Sequence, residues 1–261
     1  MSKVGFVIPT AFGRPEYLPL AYNSIVEQQT SHEVEILIGC PIEKIDAVRL
    51  ALPGARVVAE DSGAGLAHKL NVLLLEISTN CDYIAWLGDD DLLTPGSIDA
   101  ALSALETNPN AAMSFGGCDY IDADGKVMFT NASSQGAATL LSFGPQLIPQ
   151  PGSIMRRSSF LAAGGLGNEF ALAFDFDLFL KLKKVGTLVF TNATLAQFRW
   201  HPTSLSVKRR MRSAIEASRV RRKHYGFPMT VLWPLWEPWV VLATWAAGKL
   251  VSLRSPRNSV E

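Results

Sequence analysis

The stretch Asp82-Tyr83-Ile84-Ala85-Trp86-Leu87-Gly88-Asp89-Asp90-Asp91 decides the reading of this chain. Tyr83–Leu87 is a short apolar run with aromatic and β-branched members, which reads as a buried strand halted by Gly88 and three carboxylates. Adjacent carboxylates repel one another, so clustering them costs free energy unless a cation or a hydrogen-bond donor compensates. A divalent ion with oxygen ligands is the usual compensation, and Mg²⁺ or Mn²⁺ also bridges phosphates. The plainer alternative is a solvated strand-to-helix loop, with one aspartate capping a helix that starts near Pro95.

Upstream of this stretch, strand and helix patterns alternate. Val4–Ile8 is a short strand closed by Pro9, and a helix opened by Pro15 runs over residues 14–29, with Leu18, Ala21 and Ile25 on one face. Strand Val34–Ile38, helix Glu43–Ala51, strand Arg56–Ala59 and helix Leu66–Ile77 follow. The order βαβαβαβ predicts an α/β fold, a mixed and mainly parallel sheet covered by helices on both faces. Ligands bind such sheets beyond the carboxyl ends of the strands, where Pro9-Thr10 and Gly88–Asp91 both fall. Downstream, helices are predicted over Pro95–Leu105, Ser158–Ala163, Asp175–Lys184 and Ser206–Lys223. Short strands are predicted at Ala112–Phe115, Thr187–Phe190 and Ala196–Trp200, and Ser133–Phe143 reads as a loop of small residues leading into a helix.

The bulk properties narrow the function classes. The 261 residues are 48% hydrophobic, enough to bury a core, and 24 Lys and Arg balance 24 Asp and Glu. No global field therefore argues for a nucleic-acid partner. Three cysteines, Cys40, Cys81 and Cys118, are odd in number and form no CxxC pair, which suits buried thiols in a reducing compartment. After Met1-Ser2-Lys3 the chain runs straight into the first strand without a secretory apolar region, so a cytoplasmic location is expected.

Several segments in order resemble the family-2 glycosyltransferases of the GT-A fold. Asp82 to Gly96 is similar to that family's strand and Asp-rich motif, and Val7-Ile8-Pro9-Thr10 with Arg14-Pro15-Glu16-Tyr17-Leu18 to its opening motif. Asp61-Ser62-Gly63-Ala64-Gly65-Leu66-Ala67-His68-Lys69-Leu70-Asn71 resembles its nucleotide-side loop and helix. Residues 150–157, Gly164-Gly165, Asp175-Phe176-Asp177-Leu178, and Arg199-Trp200-His201 with Ser206 resemble its acceptor-side half. The resemblance covers residues 4–206 and implies a GT-A catalytic domain over 1–206, with a nucleotide-sugar half (1–92) and an acceptor half (93–206).

What the resemblance implies is an inverting, metal-dependent transfer from a nucleotide sugar, with Mn²⁺ or Mg²⁺ as cofactor. Asp90 would contact the metal and Asp89 the ribose, and Asp91 and His201 are further metal candidates. The family often carries an aspartate where Gly88 stands here. Asp175 would be the base that takes the acceptor proton, with Asp177 ranked second. A helix cap is the plainer role of Asp175. Pro9, Thr10, Arg14, Asp61 and Asn71 would line the donor, and Lys69 would reach a phosphate or lie on a solvated helix face. Arg199 would pair with a phosphate or with a core carboxylate. A UDP-sugar is the implied donor, although Ile38-Gly39-Cys40-Pro41 lacks the acidic residue with which the family grips uracil; Asp61 is the substitute candidate. The acceptor would be a glycan, a lipid-linked sugar or a protein.

Residues 207–261 form a basic helix followed by a tryptophan-rich segment with Trp233, Trp236, Trp239 and Trp245. Residues 229–250 are about long enough to span a bilayer, but Pro234, Glu237 and Pro238 interrupt them. Tryptophans flanked by cations suit a peripheral position on the inner face of a membrane. A hydrophobic helix packed on the catalytic domain, or on a second subunit in a homodimer, is the alternative.

Two other classes compete. A nucleotidyl- or phosphoryl-transferase also uses clustered aspartates and metal, but it calls for a basic phosphate loop, and none is present in the sequence. A non-catalytic sugar-nucleotide module would be favoured if Asp175 lay far from Asp90.

Overall fold

A computed structural model describes residues 1–61, 63–77, 79, 81–131, 133–200 and 210–254. Its first half is the predicted alternation: β1 (Lys3–Pro9), α1 (Leu18–Val26), β2 (Glu33–Pro41), α2 (Ile45–Ala51), β3 (Arg56–Glu60), α3 (Leu66–Glu76) and β4 (Tyr83–Trp86). There follow β5 (Leu92–Leu93), α4 (Ser97–Glu106), β6 (Ala111–Ile121), β7 (Val127–Asn131), α5 (Gln135–Leu140), β8 (Ile154–Arg156), α6 (Arg157–Ala162), α7 (Phe174–Val185) and β9 (Thr187–Arg199). The chain ends in α8 (Arg210–His224), α9 (Met229–Leu232) and α10 (Glu237–Arg254).

All nine strands join one sheet in the order β3-β2-β1-β4-β8-β6-β9-β5, with β7 paired to β6. The β1–β4 set is parallel throughout. β8 runs antiparallel to both β4 and β6, so β6 and its parallel partner β9 point the same way as the first four strands. Period-two alternation sends β1 side chains to two separate cores: Phe6 and Ile8 pack with Leu18, Ile25 and Leu102, and Val7 packs with Leu70, Leu73 and Phe179. Both faces are thus buried beneath helices, as the near-continuous apolar strands require.

The second half departs from the predicted elements. β6 is 11 residues long, and β9 is one 13-residue strand where two short ones were expected. Between Phe115↔Phe190 and Gly117↔Thr194, four steps along β9 oppose two along β6, so β9 bulges. The bulge presses on Gly116, where a Cβ would lie 2.5 Å from the Ala193 carbonyl. β5, β7 and β8 were not foreseen; a two-residue and a three-residue strand carry too little pattern to read. No aspartate caps α4, whose N-cap is Gly96 in the left-handed region (φ 75°).

A buried ion pair joins α8 to α10 within the C-terminal segment, and its arginine also ties the segment to the body. Arg221 donates to both carboxylate oxygens of Glu237 at 2.7 Å, and also to the Gly144 carbonyl at 2.9 Å. The Tyr225 hydroxyl donates to the same carboxylate at 2.5 Å. Among the described residues, no helix is long and apolar enough to cross a membrane. Cys40, Cys81 and Cys118 are buried and none is in a disulfide.

Candidate active site

The carboxyl ends of β1 and β4 open onto a cavity of about 500 Å³, lined on the sheet side by Pro9, Trp86, Gly88, Asp89 and Asp90 and by Arg14 after β1. The 146–151 segment and Asp175 at the start of α7 add to its lining. Tyr120, Phe198 and Trp200 supply an aromatic side; Tyr120 lies 5.3 Å from Phe198 and 6.0 Å from Trp200, centroid to centroid.

The triplet turns sharply because residue 88 has no side chain. A Cβ there would stand 2.8 Å from Asp91 Oδ2 and 3.1 Å from Asp90 Oδ1, so the carboxylates fold back over the glycine. This leaves no room for the aspartate that the resembling family often carries at that place.

Each carboxylate then meets a different partner. The Thr10 hydroxyl donates to Asp89 at 2.5 Å, and Thr10 Oγ1 accepts the Phe12 N–H at 2.9 Å. Arg14 pairs with Asp90 at 3.0 Å. Asp91 is buried, does not line the cavity, and accepts the main-chain N–H of Arg199 at 3.0 Å. Burial pushes the Asp89 carboxyl above the usual range, the Thr10 hydrogen bond opposes this, and the Asp90 charge adds to it. For Asp91, burial and then the Asp90 charge push it well up, against the Arg199 N–H. Removing water from Asp89 and Asp91 is what disfavours their charge.

Asp89 and Asp90 fit a hard divalent cation. Both line the cavity with oxygen donors, and the Arg14 guanidinium already stands against Asp90 as a cation would. Asp91 faces the protein instead, which removes it from the expected ligand set. His201 lies outside the described residues. Among the described residues, no group of three or more acidic, histidine or cysteine side chains is arranged to hold a metal ion.

In the same cavity, Asp175 accepts the amide N–H of Gln146 at 2.9 Å and the Phe176 main-chain N–H at 2.8 Å. Burial raises its carboxyl above the ordinary value, with these two donors opposing.

Four expected site residues are engaged elsewhere. Asp177 is fully buried and pairs with Lys181 at 2.8 Å and with His224 at 2.9 Å, so it joins α7 to α8 and does not reach the cavity. Burial acts to raise its carboxyl, but the hydrogen bonds from His224 and Lys181 outweigh it and hold the group well below the carboxylate range. The Asn71 amide is consumed by Leu166, accepting its N–H at 2.9 Å and donating to its carbonyl at 2.8 Å. Lys69 is paired with Glu60 at 3.0 Å. Arg199 is buried, and its guanidinium donates to the carbonyls of Asp90, Asp122 and Ala123 while lying 4.4 Å over the Tyr17 ring. It holds the main chain of the triplet, and among the described residues it forms no ion pair with a carboxylate side chain. Asp61 lines a neighbouring hollow of about 450 Å³ that shares Leu66 and Ala171 with the main cavity.

Sequence reasoning missed Gln146, Gln150 and Tyr17. Gln150 donates to the Trp86 carbonyl at 2.9 Å, closing the wall onto β4. Only the Gln150-Pro151-Gly152 motif marked that region; Gln146 sits in a stretch with no periodicity.

No protein-family model matches the chain. The chain is 23% identical over 180 residues to a Haemophilus influenzae protein named "Uncharacterized glycosyltransferase", a match over 67% of this chain. It spans 60% of that relative's length. Among solved structures, it is similar to the mannosyltransferase PcManGT from Pyrobaculum calidifontis in complex with GDP-Man and Mn²⁺ (TM-score 0.63, 14% identity, 97% of this chain and 75% of that one). It is also similar to S. aureus TarS 1–349 in complex with UDP-GlcNAc (TM-score 0.57, 12% identity, 94% of this chain and 79% of that one). At these identities the likeness is one of fold: a mixed α/β sheet, mainly parallel in direction and flanked by helices.

Proposed function

We propose that this chain is an inverting glycosyltransferase of the family-2, GT-A type, moving a sugar from a nucleotide-activated donor to an acceptor hydroxyl. The observation that carries the reading is that Asp89 and Asp90 line the same cavity as Asp175. A non-catalytic nucleotide module has no need of a further, half-buried carboxylate in that cavity. The fold neighbours bound to GDP-Man with Mn²⁺ and to UDP-GlcNAc, and the H. influenzae relative's name, support a nucleotide-sugar donor.

In this reading the donor diphosphate lies near Asp89, Asp90 and Arg14. A divalent ion, when bound by Asp89 and Asp90, neutralises the diphosphate leaving group. Arg14 exchanges its Asp90 partner for a phosphate oxygen. Asp175, opposite, accepts the proton of the acceptor hydroxyl as that oxygen attacks the anomeric carbon and the diphosphate departs. Gln146 holds the carboxylate in place, and the aromatic side offers faces for a base or sugar ring. The acceptor is a hydroxyl of a glycan, a lipid-linked sugar or a protein.

The test is thermal unfolding with UDP, GDP and their sugars, with and without Mn²⁺. Binding to the native state alone stabilises by about 2.7 kcal/mol at a hundredfold excess over Kd. At least one nucleotide is expected to stabilise only with Mn²⁺, and Asp90→Asn to abolish that effect together with turnover. No stabilisation by any nucleotide, or an unaffected Asp90→Asn variant, would refute the reading.

A further inference from the structure

We infer that the C-terminal segment docks on an anionic phospholipid surface, through the apolar face of residues 227–242 and the cations around it. The inference stands apart from the catalytic reading, since it uses none of the cavity residues.

Charge is the first observation. The chain is neutral overall, yet residues 207–261 hold 11 of its 24 Lys and Arg and only 3 of its 24 Asp and Glu, a net +8. Residues 1–206 therefore carry −8. Both acidic residues in the described part of the segment are buried and paired: Glu216 with Arg212 at 3.0 Å and Glu237 with Arg221 at 2.7 Å. Among the described residues the exposed side of this segment carries no carboxylate.

The second observation is what lies between the cations. Phe227, Val231, Leu235, Trp239 and Leu242 recur at about one-turn spacing and are 51–88% exposed. Apolar side chains so exposed, in a run whose one charged residue, Glu237, is buried, mark an interaction surface. Arg222 covers the Trp233 ring at 4.5 Å and Lys249 the Trp245 ring at 5.3 Å, the pairing of amphipathic rings with cations found at a bilayer's headgroup level. No described helix is long and apolar enough to cross the bilayer, which leaves contact in the plane of the surface.

The third observation is rigidity. The buried Arg221–Glu237 pair and the Arg221 bond to Gly144 fix the start of α10 to α8 and to the segment that leads into the cavity wall at Gln146. The face is therefore presented in one orientation.

A second copy of the chain fits worse. A two-fold contact sets a patch against itself, and here it would bring two strongly positive surfaces together.

Co-flotation of the full chain with vesicles tests the proposal, using phosphatidylcholine alone and phosphatidylcholine with about one-third phosphatidylglycerol. Binding at least about tenfold tighter to the anionic vesicles is expected, weakening several-fold on raising salt from about 0.1 to 0.5 M. The double variant Leu235→Glu, Trp239→Glu should lose binding about tenfold or more with an unchanged thermal midpoint. Lys249→Glu, on the cationic rim, should weaken binding to anionic vesicles only. Equal binding to neutral vesicles, no vesicle binding, retention of binding by the double variant, or a dimer that the double variant abolishes would each overturn the proposal.

Discussion

Gln146 donates its side-chain N–H to the carboxylate of Asp175 at 2.9 Å, at the wall of the cavity that Asp89 and Asp90 also line. A half-buried carboxylate held by a neutral donor stays a proton acceptor, whereas one held by cations is a weaker base. The contrast with Asp177, two residues on and locked to Lys181 and His224, separates the two groups chemically.

Replacing Asp175 by Asn is therefore expected to lower kcat by about 10²–10⁴ with donor affinity retained. Burial raises the Asp175 pKa, so its ionised form destabilises the fold above that pKa, and the variant should unfold at an equal or higher temperature. Steady-state kinetics with calorimetry checks both; a loss of donor binding would argue against a base role.

The pH profile responds to Gln146. Its hydrogen bond favours the ionised carboxylate, so Gln146→Leu removes a lowering influence and raises the Asp175 pKa further. The acid limb of kcat/KM should move to higher pH, and an unmoved limb would mean that another group controls it.

Asp177→Asn should behave in the opposite way. It leaves Lys181 and His224 facing a neutral amide, at a cost of about 3–5 kcal/mol in urea unfolding, with turnover of the folded enzyme largely kept. Because the folded pKa of Asp177 is depressed, its stabilisation is full above the unfolded carboxylate pKa of about 3.9 and is lost as pH falls below it. The gap between wild type and variant should then narrow in acid. A constant gap would place the stabilisation elsewhere.

Arg199→Lys tests the support of the triplet. A lysine cannot reproduce three bonds from one planar fork to the carbonyls of Asp90, Asp122 and Ala123. A loss of about 2–4 kcal/mol is expected, together with weaker nucleotide binding. Denaturant unfolding and nucleotide titration of the same sample measure the two effects, and a neutral substitution would show that the fork is dispensable.

The adjacent glycines separate strain from collision. Gly164 and Gly165 both have positive φ, at 77° and 68°, but a Cβ at 164 meets open space while one at 165 would lie 2.8 Å from Asn71 Oδ1. Gly164→Ala should cost about 1–2 kcal/mol for the backbone alone. Gly165→Ala should cost more, because it also breaks the Asn71 clamp on Leu166. Equal losses would show that the clamp yields without penalty.

The parallel half of the sheet and the acidic turn at its carboxyl end were legible in the residues alone. Those features are local: β1 to α3 each carry an uninterrupted period of two or 3.6, and Gly88 with three aspartates stops β4 wherever the rest of the chain goes. The sequence also marked Asp175 as a carboxylate at a helix start. Which carboxylates share a space depends on the folded chain. The sequence ranked Asp175 above Asp177, and helical positions two apart point about 200° from each other. One therefore lines the cavity and the other is taken by α8, an element more than 30 residues downstream. Asn71, Lys69 and Arg199 follow the same rule: each is a polar group of the right kind, and each is claimed by a partner that only the closed sheet brings within reach. Long-range pairing such as β6 with β9 leaves no local periodicity to read, and this is where the second half of the fold and its Gln146 lay hidden.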